Sequence, residues 1–166
     1  MLADLATWIK FIHVLAGFMF LLGHGASVFV AFQLKKTRDL ERMKVLMDVS
    51  AAGWPVMMLS LLVLLLAGIV SGFLIGAWGR LWIWVALVLL IIITGWMFSL
   101  GGTIYHPLRK MLGMEYMIQG KPQPVEKQRP QNEILNLVTA TKPREMLYIG
   151  LGGYALIIWL MIFKPF

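Results

Sequence analysis

Apolar residues run along this chain in four long blocks, and polar residues gather between them. Three blocks exceed the ~18 apolar residues that read as a membrane span, and the fourth is close to that length. The pattern predicts helices over about residues 5–34, 55–76, 81–105 and 143–163. Polar loops at 35–53 and 106–142 join them on one side, and the short turn Ala77-Trp78-Gly79-Arg80 on the other. So short a turn makes the second and third helices antiparallel neighbours. The expected fold is all-α: a polytopic membrane protein, a single antiparallel bundle of four transmembrane helices.

Local signals set the expected boundaries. Pro55 suits a first helical turn with Trp54 at an interface, and His106-Pro107 is expected to end the third span. Thr141, Pro143 and Glu145 read as a helix start. Leu40, Met43, Val45, Leu46 and Met47 give the first loop a partly amphipathic pattern, so it is expected to form an interfacial helix. In the second loop Met111, Met114 and Met117 form a three-apart helical stripe, read as packing surface. Gly120 to Gln131, with three prolines, reads as extended chain. Ile134, Leu135, Leu137 and Val138 are expected on the membrane surface or a partner. Gly68, Gly72 and Gly76 form one small-residue ridge for close helix contact, and Gly95, Ser99 and Thr103 a second.

Composition narrows the field. The chain is 60% hydrophobic and 14% charged, with no segment able to bury a separate soluble core. Cysteine is absent, which removes disulfides, thiolate metal sites and cysteine catalysis. The first block is too long for the core of a secretory signal, and Asp4 makes a poor basic leader. A net charge of +7 would suggest nucleic acid in a soluble protein; here 12 of the 15 Lys and Arg residues stand on the side of the two long loops. That bias places these loops in the cytoplasm of a bacterial inner-membrane protein, with both termini outside, and leaves no role for nucleic acid.

The candidate chemistry lies in histidine. His13 and His24 share the first helix, eleven positions apart, three turns plus about 20°, so both stand on one face. That face also carries Gly17, Phe20, Ser27 and Ala31. An ionisable side chain inside a membrane helix suggests a functional site; the bland alternative is an imidazole bonded to a neighbouring backbone carbonyl. No acid lies within a span, so there is no carboxylate pair or proton relay, and no Ser–His–acid arrangement is evident. Bundles hold cofactors between facing helices, and neutral imidazole ligates haem iron. By rise, His13 lies about 10 Å and His24 about 27 Å from the outer end, and His106 roughly 36 Å. His24 and His106 are therefore expected to flank one macrocycle, while His13 needs another ligand or a second protomer. Lys10, a turn above His13, snorkels or meets a propionate or lipid phosphate. The leading expectation is a b-type haem protein in membrane electron transfer, ligated by His13, His24 or His106 beside Lys10 and Gly17. The alternative is a cofactor-free accessory subunit of a larger membrane complex. Copper handling and porphyrinogen oxidation follow, and a homodimer is open.

The opening W-x-K-x-x-H, Trp8, Lys10 and His13, resembles the oxygen-independent protoporphyrinogen oxidases of the HemJ type and the first helix of CopD-like copper-resistance proteins. Overall layout is similar to an uncharacterised family of small bacterial integral membrane proteins, through Lys10 to Gly17 (K-F-[IL]-H-V-L-x-G), Pro55 and Trp82, over roughly residues 5 to 110. The HemJ-type resemblance implies a haem near His13. Those enzymes also carry a lysine near the start of the third helix, which is missing here. The CopD-like resemblance implies copper, for which His13, His24 and Met19 would be available.

Overall fold

The computed structural model describes residues 2–118 and 121–166. Helix α1, Leu2–Lys36, has no internal proline and runs unbroken; α2, Leu40–Leu74, follows after only three residues. The Asp39 carboxylate caps α2 by accepting the Glu41 N–H at 3.0 Å. The interfacial helix expected in 35–53 is thus present, but it is continuous with the second span instead of separate from it. Met43 and Met47, one turn apart, are buried on one face, and that burial carries the helix through the segment. Pro55 stands exposed inside α2 and forgoes one backbone bond without ending it.

At its far end α2 closes on Gly76, whose φ of 63° is left-handed, and a 3₁₀ turn, Ala77–Gly79, leads into α3, Leu81–Met111. His106-Pro107 does not end α3. The helix stops at Gly113, φ 68°, where the Gly113 N–H bonds the Lys110 carbonyl and the Met114 N–H the Arg109 carbonyl. That crossed pair of bonds is the usual left-handed glycine stop. Two short antiparallel strands follow, β1 (Tyr116–Ile118) and β2 (Lys121–Gln123), with Tyr116 opposite Gln123. The expected methionine stripe is thus broken: Met111 ends α3, and Met117 stands exposed in β1. Gly120, where the extended loop was expected to begin, lies outside the described residues. Glu126 clips this region down. It accepts from Lys110 Nζ and from the Tyr116 hydroxyl, both at 3.0 Å, and these bonds hold its carboxyl below the usual carboxylate range.

Helix α4, Gln131–Ala140, turns Ile134 and Val138 into the protein's own interior instead of onto a membrane or partner. They join Val30, Leu34, Met43, Met47, Leu108 and Leu112 in the most completely buried cluster of the molecule. Thr141 caps this helix, its hydroxyl donating to the Val138 carbonyl at 2.7 Å, and the next helix starts at Pro143. One rod then runs through α5 (Pro143–Glu145), a π-helical stretch (Met146–Gly152) and α6 (Gly153–Phe163).

Four helical stretches are long and apolar enough to cross a membrane, as an integral membrane protein requires: Asp4–Lys36, Leu40–Leu74, Leu81–Met111 and Gln131–Phe163, the last interrupted at 141–142. In the most apolar stretches of α2 and α3 only 17% of residues are buried, so their exteriors are apolar rather than polar. The helices sort into two pairs. α1 packs on α2 with partners that fall as positions rise: a Cβ at Gly17 would touch Leu64, one at Gly23 would press on Met57, and Ser27 faces Ser50. α3 packs on α6, where Gly153 admits the Ile93 side chain. α2 and α3 share few contacts.

The Gly68–Gly72–Gly76 ridge serves three separate purposes instead of one helix crossing. Gly68 admits the His13 ring, Gly72 admits Trp78 and Ile83, and Gly76 makes the turn. The second ridge, Gly95, Ser99 and Thr103, faces outward.

Candidate functional site

The two histidines of α1 do share a face, and each meets a different helix. His13 meets α2. Its Nδ1–H donates to the Leu64 carbonyl at 2.8 Å. The ring lies across Gly68, where an added Cβ would stand 2.9 Å from Cε1. The carbonyl of an α-helical residue points toward residue i+4, and a glycine there leaves its second lone pair within reach of a side chain. Gly17, one turn on, lets Leu64 approach.

His24 meets the π-helical stretch. It is 5% exposed, and its Nε2 has no hydrogen-bond partner. Phe20 lies parallel to it on α1, with centroids 6.4 Å apart, and Tyr154 of α6 stands edge-on at 5.9 Å. The Tyr154 hydroxyl is engaged with Thr94 of α3 at 3.1 Å. Across from Nε2 is Gly150, so close that a Cβ there would overlap the imidazole. An unpartnered buried nitrogen of this kind costs about 1–3 kcal/mol. A π-helical turn is rare and often marks a functional position.

The other expected site residues stand apart. His106 is exposed: Ile104 and Leu108 set the buried face of α3, and His106 lies about 200° round from Ile104. Its neighbour Tyr105 is the residue that turns inward, donating to the Ser27 carbonyl at 2.8 Å. His24 and His106 thus come to neighbouring levels but do not face each other. Lys10 is exposed, as is Trp8, so of the W-x-K-x-x-H residues only His13 reaches into a helix contact. Leu64, Gly68, Gly150 and Tyr154 complete the two histidine environments. The run Gly150-x-Gly152-Gly153 was the available hint of close approach there.

Gly150 packs closely against the His24 ring, His13 is bonded to Leu64, and His106 is exposed, so the three imidazoles do not converge on one slot. Among the described residues no cluster of three His, Asp or Glu side chains could hold a metal ion. Compared with protein-family models, with curated proteins and with solved structures, the chain matches none.

Proposed function

We propose that this chain is an accessory subunit of a larger membrane complex, carrying no cofactor of its own. It is an integral protein of a bacterial inner membrane, with four antiparallel spans, the long loops in the cytoplasm and both termini outside. The observation that carries this reading is the use of the α1 histidines. His13 is bonded to a backbone carbonyl of α2, His24 is closed over by Gly150, and the helix exteriors stay largely uncovered. Side chains used for internal packing and apolar faces left open suit a protein that associates sideways, with a second copy or with other subunits. The orientation is supported by the excess of Lys and Arg in the loops.

The test is the spectrum and mass of the protein purified after expression with ample haem. The expected result is no Soret absorbance and a native mass above that of one chain. A monomer carrying one haem per chain overturns the reading. A second reading, a b-type haem protein in electron transfer, draws on the buried unpartnered Nε2 of His24. It requires Met146–Gly152 to withdraw from the imidazole, and in it His24→Ala abolishes the Soret band while His106→Ala leaves it.

A further inference from the structure

Unpaired cations gather at one level of the molecule. Lys36 ends α1, Arg38 lies in the turn after it, Arg42 is in the first turn of α2, and Arg144 is in α5. All four are exposed, and among the described residues none has an acidic partner. The neighbouring acids are engaged elsewhere: Asp39 caps α2, and Glu41 pairs with Lys44 at 2.7 Å. Nearer the hairpin, Arg109 pairs with Asp48 at 3.1 Å and Lys110 with Glu126 at 3.0 Å. Two bonds tie the segments that carry the four into one surface. Lys35 Nζ donates to the Thr141 carbonyl at 2.7 Å, and Gln131 Nε2 to the Arg38 carbonyl at 2.8 Å.

Beyond these four, exposed apolar side chains predominate, with the Asp48–Arg109 pair among them. Val45 and Val49 follow Arg42 on α2, Phe29 precedes Lys36 by two turns on α1, and Tyr148 follows Arg144 by one turn, all of them exposed. Tyrosine favours the headgroup level. The four cations therefore stand at the edge of the apolar exterior, where the phosphates of a bilayer would lie.

We propose that Lys36, Arg38, Arg42 and Arg144 form a collar that binds the headgroups of anionic phospholipids on the loop side. The proposal rests on the membrane reading above and names the lipid class. A phosphodiester without a compensating ammonium, as in phosphatidylglycerol, gains from every unpaired cation, about fivefold per Lys or Arg, whereas phosphatidylcholine brings its own cation. The planar guanidinium also matches phosphate with two parallel donors.

The full chain is reconstituted into nanodiscs of phosphatidylcholine with a minor share of phosphatidylglycerol, and the lipids it retains on release are counted by native mass spectrometry. Phosphatidylglycerol is expected well above its input share and falls as salt rises. Arg38→Gln/Arg42→Gln/Arg144→Gln should lower that enrichment at least fivefold, while Lys164→Gln at the opposite end leaves it unchanged. If the triple variant does not fold, Arg42→Gln alone decides, with about a fivefold loss expected. Retention at the input ratio, or a variant that retains as much as wild type, overturns the collar and leaves the membrane reading standing. Failure of the wild type to enter the discs overturns both.

Discussion

His13 and His24 are one residue type on one face of one helix, and each lies over a glycine. Behind each glycine, four residues earlier, is a backbone carbonyl: Leu64 before Gly68, Met146 before Gly150. Only His13 makes a carbonyl bond that satisfies its ring. The difference lies in the opposing backbone. α2 is α-helical at Leu64, so the carbonyl runs toward Gly68 and the glycine exposes it. Met146–Gly152 is π-helical, and there carbonyls aim at residue i+5 instead. The Met146 carbonyl therefore lies beside His24 without forming a well-aligned bond to Nε2. A change in the winding of one helix separates a satisfied histidine from an unsatisfied one.

The largest effect should come from adding a methyl group at each glycine. Gly150→Ala drives a Cβ into the His24 ring, and overpacking of this kind costs about 1–3 kcal/mol. Gly68→Ala meets the edge of the His13 ring, and the ~1 kcal/mol gain in helix propensity offsets much of the strain. Melting in detergent should fall clearly for the first and little for the second, and His24→Ala should rescue Gly150→Ala. Equal melting of the two glycine variants would remove the contrast.

Replacing the imidazoles by leucine sharpens the comparison, because the signs should differ. His13→Leu loses a bond worth about 1 kcal/mol and leaves the Leu64 carbonyl with only its helical partner. His24→Leu removes a buried nitrogen that has no partner, so it should be neutral or stabilising. A melting temperature that drops as far for His24→Leu as for His13→Leu would mean that Nε2 is satisfied in the native protein.

The smallest effect should lie away from both histidines, at Glu126. Its folded carboxyl is held below its unfolded pKa by Lys110 and Tyr116, so its contribution is present above the unfolded value. It is lost as pH falls through the lowered folded value. Hydrogen exchange in β1 and β2 should quicken over that acid window, while exchange around His13 and Leu64 stays constant. Glu126→Gln should remove the pH dependence in the strands. Persistence of that dependence in the variant would assign it to another group.

The helical blocks were legible because helix formation in an apolar segment follows from local pattern. The turn at Ala77 to Arg80, the helix start at Pro143 and the shared face of His13 and His24 were readable for the same reason. Other features were misread because they depend on distant partners. Residues 40–54 look interfacial until Met43 and Met47 find Leu108, Leu112 and Ile134. Pro107 looks like a stop until α3 continues past it to Gly113, whose lysine- and glycine-bearing end, Arg109 to Gly113, was the better stop signal. Ile134 and Val138 look like a surface stripe until the same cluster covers them.

By itself, then, the sequence determined four long apolar helices, the short turn between the second and third, the placing of charge in the loops and the alignment of two histidines. Each of these follows from residue spacing along a single helix or from the polarity of a single segment. The tertiary structure alone decided that His13 meets the Leu64 carbonyl while His24 Nε2 stays unbonded, that His106 faces outward, and that the loop-side segments build the most completely buried of the core clusters. Those outcomes depend on the rotation and winding of one helix against another, and residues far apart in the chain set both.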